Sequence, residues 1–427
     1  MDSLIPLAVE PPHERAWFGM TAAFAGSMGF LLLMPAGWAR LDHLWSEDGV
    51  AFTASARRFS ALHNLVEPYG GYLHTVPRLV AELAAVLPIG WTAAVFALVA
   101  AALRALVALV VFAGSKAYFE STPMRFGLAA LVIVLPAGNS EPLNNMANLH
   151  WFLLYGTFWA LLWRNAPRVP VASFVVLTAL SSPLTLVLLP VALVRMWLPR
   201  KEVPIAFLAA LAVQTVTMAL STRTAYSQDE ADPVQVLLAS LLRVPVVAFT
   251  GSEKLSDFYP AMGNAVIVAA LVVALVPVVT GLRFGNRAGR TLIVSAAVLS
   301  VVVIVTCLVL NWAVVMQVQR PGIVMAGQRY SVAPCLFLFT AMFVGLDQTP
   351  ARTGGRALVT GSRYVVGFFV VVSVFWYLQE PSTVLRGVPW DESVADAHTQ
   401  CAAGAQEARL EHEPEDWAFG IPCDELG

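Results

Sequence analysis

Two adjacent carboxylates, Glu47 and Asp48, stand in the run Leu44-Trp-Ser-Glu-Asp-Gly-Val50, just past a long apolar stretch. A carboxylate held at a membrane edge is costly to keep, and it can take a proton from an attacking hydroxyl. Ser46 or Asp48 can equally cap the helix that follows. Further along, Glu67-Pro-Tyr-Gly-Gly-Tyr-Leu-His-Thr-Val-Pro-Arg78 is dense in turn formers and polar aromatics. Tyr69 and Tyr72 read as a substrate wall or as interfacial anchors. His74 reads as part of that wall and not as a catalyst. Arg78 is placed to snorkel or to grip phosphate oxygens with its planar fork. A second polar cluster follows at Glu141, Asn144, Asn145, Asn148 and His150, between two apolar runs. A third holds Arg320 and Arg329 with Tyr330, and its arginines are candidates for a phosphate or pyrophosphate headgroup or for anionic lipid.

These residues need a scaffold, and composition says which kind. The chain of 427 residues is 58% hydrophobic and 13% charged, with a mean hydropathy of +0.70. Soluble domains carry about 25% charged residues, so the chain reads as an all-α polytopic membrane protein. The net charge of −2 and the lack of a basic tract give no sign of nucleic-acid binding. With ~20 apolar residues per span as the guide, about eleven spans are expected, centred in 17–37, 91–113, 124–138, 148–163, 169–181, 183–198, 203–222, 262–281, 291–315, 332–346 and 364–380. The first lacks a signal-peptide cleavage site and reads as an uncleaved span.

Short basic loops at Lys116/Arg125, Arg164/Arg168, Arg200/Lys201, Arg283/Arg287/Arg290 and Arg352/Arg356/Arg363 fall on one side, which is therefore cytoplasmic with the N-terminus. The opposite side takes the first outer loop 38–90, the loop 223–261 and the tail 381–427. All three candidate clusters lie there. The division is a transmembrane domain over 1–380 and a small extracytoplasmic cap over 381–427. Within the first loop, Phe52, Ala56, Phe59, Leu62 and Val66 recur at helical spacing, so 46–66 reads as an amphipathic helix lying on the membrane. Cys401 and Cys423 in the tail read as a disulfide closing a loop of about 23 residues, a constraint of order 3 kcal/mol. Cys307 and Cys335 lie in apolar runs and read as small packing residues. The short, proline-punctuated spans near Pro136, Pro170, Pro183 and Pro190 suit helices that line a cavity. Arg104 is a lone charge within a span, expected to snorkel or to hold a lipid phosphate.

Together these pieces resemble the GT-C superfamily of membrane glycosyltransferases. The likeness rests on the acidic pair Glu47-Asp48 in a long amphipathic first loop, and on Tyr72-Leu-His-x-x-Pro-Arg78 leading into the second span. Short paired spans follow, and Arg329-Tyr330 opens a late one. The resemblance implies a polyprenyl-phosphate sugar donor, an acceptor among cell-envelope glycans, lipids or proteins, and residence in a bacterial plasma membrane. Asp48, or Glu47 beside it, then acts as general base. Arg78, Arg320 or Arg329 stabilises the leaving phosphate, and Tyr69, Tyr72, His74, Glu141, Asn145, Asn148, His150 and Tyr330 bind substrate. Glu141 stands in the second outer loop where a second metal-binding Asp would be, so a divalent metal stays open. Two other classes fit the same composition: a transporter or flippase for a lipid-linked sugar, and a non-enzymatic membrane scaffold. A scaffold predicts that the polar loop residues scatter in space.

Overall fold

The computed structural model describes residues 5–7, 14–221, 231–312, 327–349, 356–378 and 386–426. Among these, six helices are long and apolar enough to cross a membrane: Ile89–Ala117, Glu202–Leu220, Pro233–Thr250, Asn264–Phe284, Arg287–Leu310 and Gln328–Gln348. A bent pair, Phe18–Leu33 with Pro35–Asp42 at 79°, makes a seventh if it counts as one span. That is fewer than the eleven expected. The segments 124–138, 148–163 and 169–181 form helices of only 12 or 13 residues.

The shortness has a physical cause. Helix His150–Leu162 is buried along almost its whole length, with Trp151, Phe152, Tyr155, Phe158 and Trp159 all packed inside. A helix that meets protein on every side has no bilayer thickness to match. Helix Gln328–Gln348 is likewise enclosed, with 94% of its most apolar window buried.

A second difference concerns 223–261, expected as an outer loop. Residues 233–250 form a helix instead, started by Asp232, whose side chain accepts from Val234 N at 2.8 Å, and by Pro233 in the first turn. It widens into a π turn over Leu242–Val246, where Pro245 removes a backbone donor. Tight helix contacts come from small residues. A Cβ on Gly345 would lie 2.1 Å from the Pro277 carbonyl oxygen, and one on Gly281 would lie 2.5 Å from Gly345 Cα. Only glycine lets helices 264–284 and 332–348 approach so closely.

Arg104 neither snorkels nor waits for lipid. Its guanidinium donates to Val132 O (2.8 Å), Ile133 O (2.9 Å), Gly138 O (2.9 Å) and Tyr377 Oη (2.7 Å), and lies 4.1 Å over the Phe152 ring. It neutralises the carbonyl end of helix Thr122–Val134, where those groups have no helical partner.

The expected surface helix over 46–66 is broken into three pieces: the π turn Asp48–Thr53, helix Ala54–Arg58 and helix Ala61–Val66. Its apolar stripe divides accordingly. Phe52 and Ala56 are buried, whereas Phe59, Leu62 and Val66 are exposed.

The tail departs from an all-α chain. After helix Trp390–Ala402, strands β1 (Glu407–His412) and β2 (Trp417–Pro422) form an antiparallel hairpin, with Leu410 opposite Phe419 and Ala408 opposite Ile421. Their alternating apolar residues face inward, the pattern a two-residue period requires. Trp390 stacks on Phe419, and its indole N–H reaches Ile89 O at 2.9 Å, which docks the cap on the transmembrane body. Arg58 adds an ion pair to Glu407. The disulfide Cys401–Cys423 is formed, with Cα atoms 5.7 Å apart, and ties the helix end to the end of β2. Cys307 and Cys335 are buried and free.

Replacing Cys401 with Ser is expected to destabilise this cap by about 2–4 kcal/mol. Limited proteolysis under non-reducing conditions should then cut within 386–426 faster than in the parent protein. Equal cleavage rates would mean that the disulfide does not hold the cap.

Candidate active site

The acidic pair is divided by the backbone that carries it. Ser46 sits in the left-handed region (φ 39), and the chain then enters the π turn at Asp48. Asp48 is 1% exposed, and its carboxylate oxygens accept from Met146 N (3.0 Å) and Ala147 N (2.8 Å) of the second loop. Burial pushes its carboxyl well above the usual range; the Met146 bond opposes this, Glu47 adds to it, and Ala147 and Arg40 oppose it. Both oxygens are therefore engaged in holding two loops together. Asp48, a candidate base in the sequence reading, is not among the residues that line the neighbouring cavity. Glu47, next to it, is half-buried and lines a cavity of about 890 Å³.

Residues from distant parts of the chain meet around that cavity. Besides Glu47, it is lined by Tyr69, Tyr72, His74, Glu141, Asn148, His150, Arg329 and Tyr330. The scatter that a scaffold predicts is not what the structure shows. Arg329 forms an ion pair with Glu141, and its backbone N–H donates to Glu141 Oε2 at 3.1 Å. Its guanidinium lies 4.9 Å from the Tyr330 ring centre. His150 Nδ1 lies 2.8 Å from Ala147 O, so Nδ1–H donates and Nε2 is left as an acceptor. His74 sits in a nest of Tyr72, Phe52 and Tyr69, with ring centres at 4.1, 5.2 and 5.8 Å. Its Nε2 bonds Tyr69 O at 3.1 Å. Burial, helped by the neighbouring His150, holds its pKa down to about 3. It stays neutral and packs the wall.

Other expected residues lie elsewhere. Arg78 is 2% exposed and points into the first loop, where it donates to Asn64 Oδ1 and to Ser55 Oγ (3.2 Å). It braces the loop pieces, and it is not among the residues that line the cavity, where a phosphate contact was expected of it. Asn145 braces its own loop, donating to Glu141 O (2.7 Å) and accepting from Asn148 N (2.9 Å). Arg320 lies outside the described residues.

Several lining residues were not anticipated. Leu184, Thr306 and Leu310 join Pro183, whose proline-punctuated span was expected to line a cavity, in a largely apolar wall. Arg386, Glu413, Glu415 and Trp417 come from the cap. Glu413 pairs by backbone with residues 44–46 just before the acidic pair: Ser46 N donates to Glu413 O (2.6 Å), and Glu413 N to Leu44 O (3.0 Å). The alternation of β1 offered a signal for the hairpin; nothing local in the sequence marks its docking partner.

A divalent cation needs carboxylate oxygens free to face it. Those of Glu141 are taken by Arg329, and those of Asp48 by Met146 and Ala147. Among the described residues, no group of three or more His, Cys, Asp and Glu gathers to hold a metal ion. These residues do not fit a metal site.

The sequence matches no family model and no curated protein. The fold does have a counterpart. It is similar to the structure of the arabinofuranosyltransferase AftD from mycobacteria, determined by single-particle cryo-EM. The match covers 94% of this chain with a TM-score of 0.51 and 15% identity. A mutant of AftD matches over the same share, at 15% identity and a TM-score of 0.47. The chain spans 30% of the length of the first and 31% of the second. At this identity the likeness shows the fold alone.

Two outcomes test this geometry. In Asp48→Asn, one of the two backbone N–H groups loses its acceptor, which should cost about 1–3 kcal/mol and lower the melting temperature. An unchanged melting temperature would remove the latch. Because His74 in the folded state refuses a proton that the unfolded chain accepts below its ordinary pKa of 6.5, stability must fall as pH drops through that value toward about 3. His412, held near 4 by burial, acts in the same direction. Melting temperatures measured from pH 7 to pH 4 should decline, and His74→Phe should flatten the slope.

Proposed function

We propose that the protein is a membrane glycosyltransferase that moves a sugar from a polyprenyl-phosphate donor to an extracytoplasmic acceptor hydroxyl, with inversion. The observation that carries this reading is that one cavity is lined by a carboxylate, Glu47, by the guanidinium of Arg329, which is paired with Glu141, and by an apolar wall. A charged headgroup joined to a hydrocarbon chain needs both kinds of lining. The phosphate side of the donor belongs near Arg329, whose ion pair with Glu141 fixes its orientation. The first isoprene units belong against Pro183, Leu184 and Leu310.

In this reading Glu47 takes the proton of the acceptor hydroxyl as its oxygen attacks the anomeric carbon. The bond from that carbon to the phosphate oxygen breaks on the opposite face, and polyprenyl phosphate leaves with the electron pair. The leaving group already bears negative charge, so no general acid is required. Arg329 faces the charge that grows on it. His150, Asn148, Tyr69 and Tyr72 are placed to bind sugar hydroxyls, and the neutral His74 keeps the aromatic wall packed. With the basic loops cytoplasmic, as the sequence implies, the cavity opens on the outer side of a bacterial plasma membrane.

The test is transfer by purified protein from a panel of polyprenyl-phosphate sugars, with a membrane extract as acceptor source. Glu47→Gln should retain the parent melting temperature and lose about 10²–10⁴ of the rate, the range a general base supplies. Parent rates in Glu47→Gln would remove Glu47 as the base. No turnover of any donor by folded protein would remove the enzyme reading itself.

A further inference from the structure

The tip of the hairpin forms a cavity wall that the chemistry above does not use. Glu413, Pro414, Glu415 and Trp417 line the cavity there, with Arg386 beside them. The tip is held by backbone. Its bonds to Leu44 and Ser46 place it one residue from Glu47, and Trp417 N closes the turn onto Pro414 O at 3.0 Å. Asp416, in the left-handed region at φ 72, completes the reversal. On the same strand Phe419 and Ile421 are buried, yet Trp417 stays 37% exposed. The cap thus spends its apolar residues on its own core and leaves one large aromatic at the cavity.

We propose that this tip is the acceptor subsite, and that the acceptor it takes is a saccharide. The inference rests on the reading of the cavity as a site of glycosyl transfer and names the acceptor class. A sugar ring offers a C–H face that packs on an indole, and hydroxyls that donate to carboxylates. Trp417 and the exposed Glu415 supply both within one turn. Charge assigns the two substrates to different walls. The exposed acids Glu415 and Asp416 make the tip unfavourable for a phosphate even with Arg386 nearby, whereas Arg329 attracts one. Glu47 lines the same cavity. A lipid acceptor needs an apolar lining, and that lining belongs to residues 183–184 and 306–310, not to the cap. A cationic peptide would suit the acids, but Arg386 in the same wall opposes it.

Saturation-transfer NMR on the purified full chain, without donor, tests this with soluble arabino-, galacto-, manno- and gluco-oligosaccharides and a Lys/Arg-rich peptide. At least one saccharide series should bind. Trp417→Phe should keep most of that binding, Glu415→Gln should weaken it a few-fold, and Trp417→Ala should weaken it about tenfold. Melting temperatures are recorded for each variant. If Trp417→Ala melts early, Glu415→Gln decides, since its side chain is exposed. The proposal is overturned if no saccharide binds, if the substituted proteins bind like the parent, or if only the peptide binds. Saccharide binding that depends on Trp417 in a protein without transferase activity would uphold the subsite and remove the reaction. Transfer with an unchanged acceptor KM in Trp417→Ala would do the reverse.

Discussion

The structure depends on one carboxylate gripping two backbone N–H groups. Asp48 draws Met146 and Ala147 onto the first loop, and the lining residues of the first and second loops are placed by that join. Glu47 faces the cavity because its neighbour is pinned. Asn148 and His150 face it because they follow directly from the residues that do the pinning. A buried carboxylate is expensive unless its lone pairs are satisfied, and here the satisfaction itself fixes the geometry. The π turn beginning at Asp48 belongs to the same arrangement, since it lets the chain leave the join without a regular helix.

A second join adds the cap. Backbone pairing between Leu44–Ser46 and Glu413 gives the hairpin a fixed register against the first loop, and backbone pairing is insensitive to which side chains it carries. Gly49 permits the fit: a Cβ there would lie 2.6 Å from His412 Nε2. The two joins meet on either side of Glu47. A carboxylate held between two such anchors has little freedom to wander, which is what proton transfer at a defined distance requires.

Much of this was legible in the sequence, for identifiable reasons. Polar residues at the ends of apolar runs announced the clusters at 47–48, 141–150 and 329–330, because polar groups at a bilayer edge are costly without a role. Spacing of Cys401 and Cys423 in a polar tail announced the disulfide. The choice between Glu47 and Asp48 was not legible, since it rests on two N–H groups about a hundred residues away. Arg78 and Arg104 misled for one reason: a long cationic side chain at a membrane position looks alike whether it meets phosphate or carbonyl oxygens. Among the described residues six or seven helices are long enough to cross a membrane where eleven spans were expected, because an apolar run of 13 residues reads the same inside a protein as inside a lipid, and only burial marks His150–Leu162 as enclosed.

The cavity draws its walls from segments that leave the ribosome at very different times. Residues 44–47 and 141–150 emerge early, Arg329 much later, and the hairpin tip at 413–417 after every other element that lines the cavity. A nascent chain already threaded into the membrane would hold Glu47 and the second loop in place with one side of the pocket missing. Competence would arrive only when the hairpin crosses and docks. The last wall of the pocket is thus also the last part of it to be synthesised.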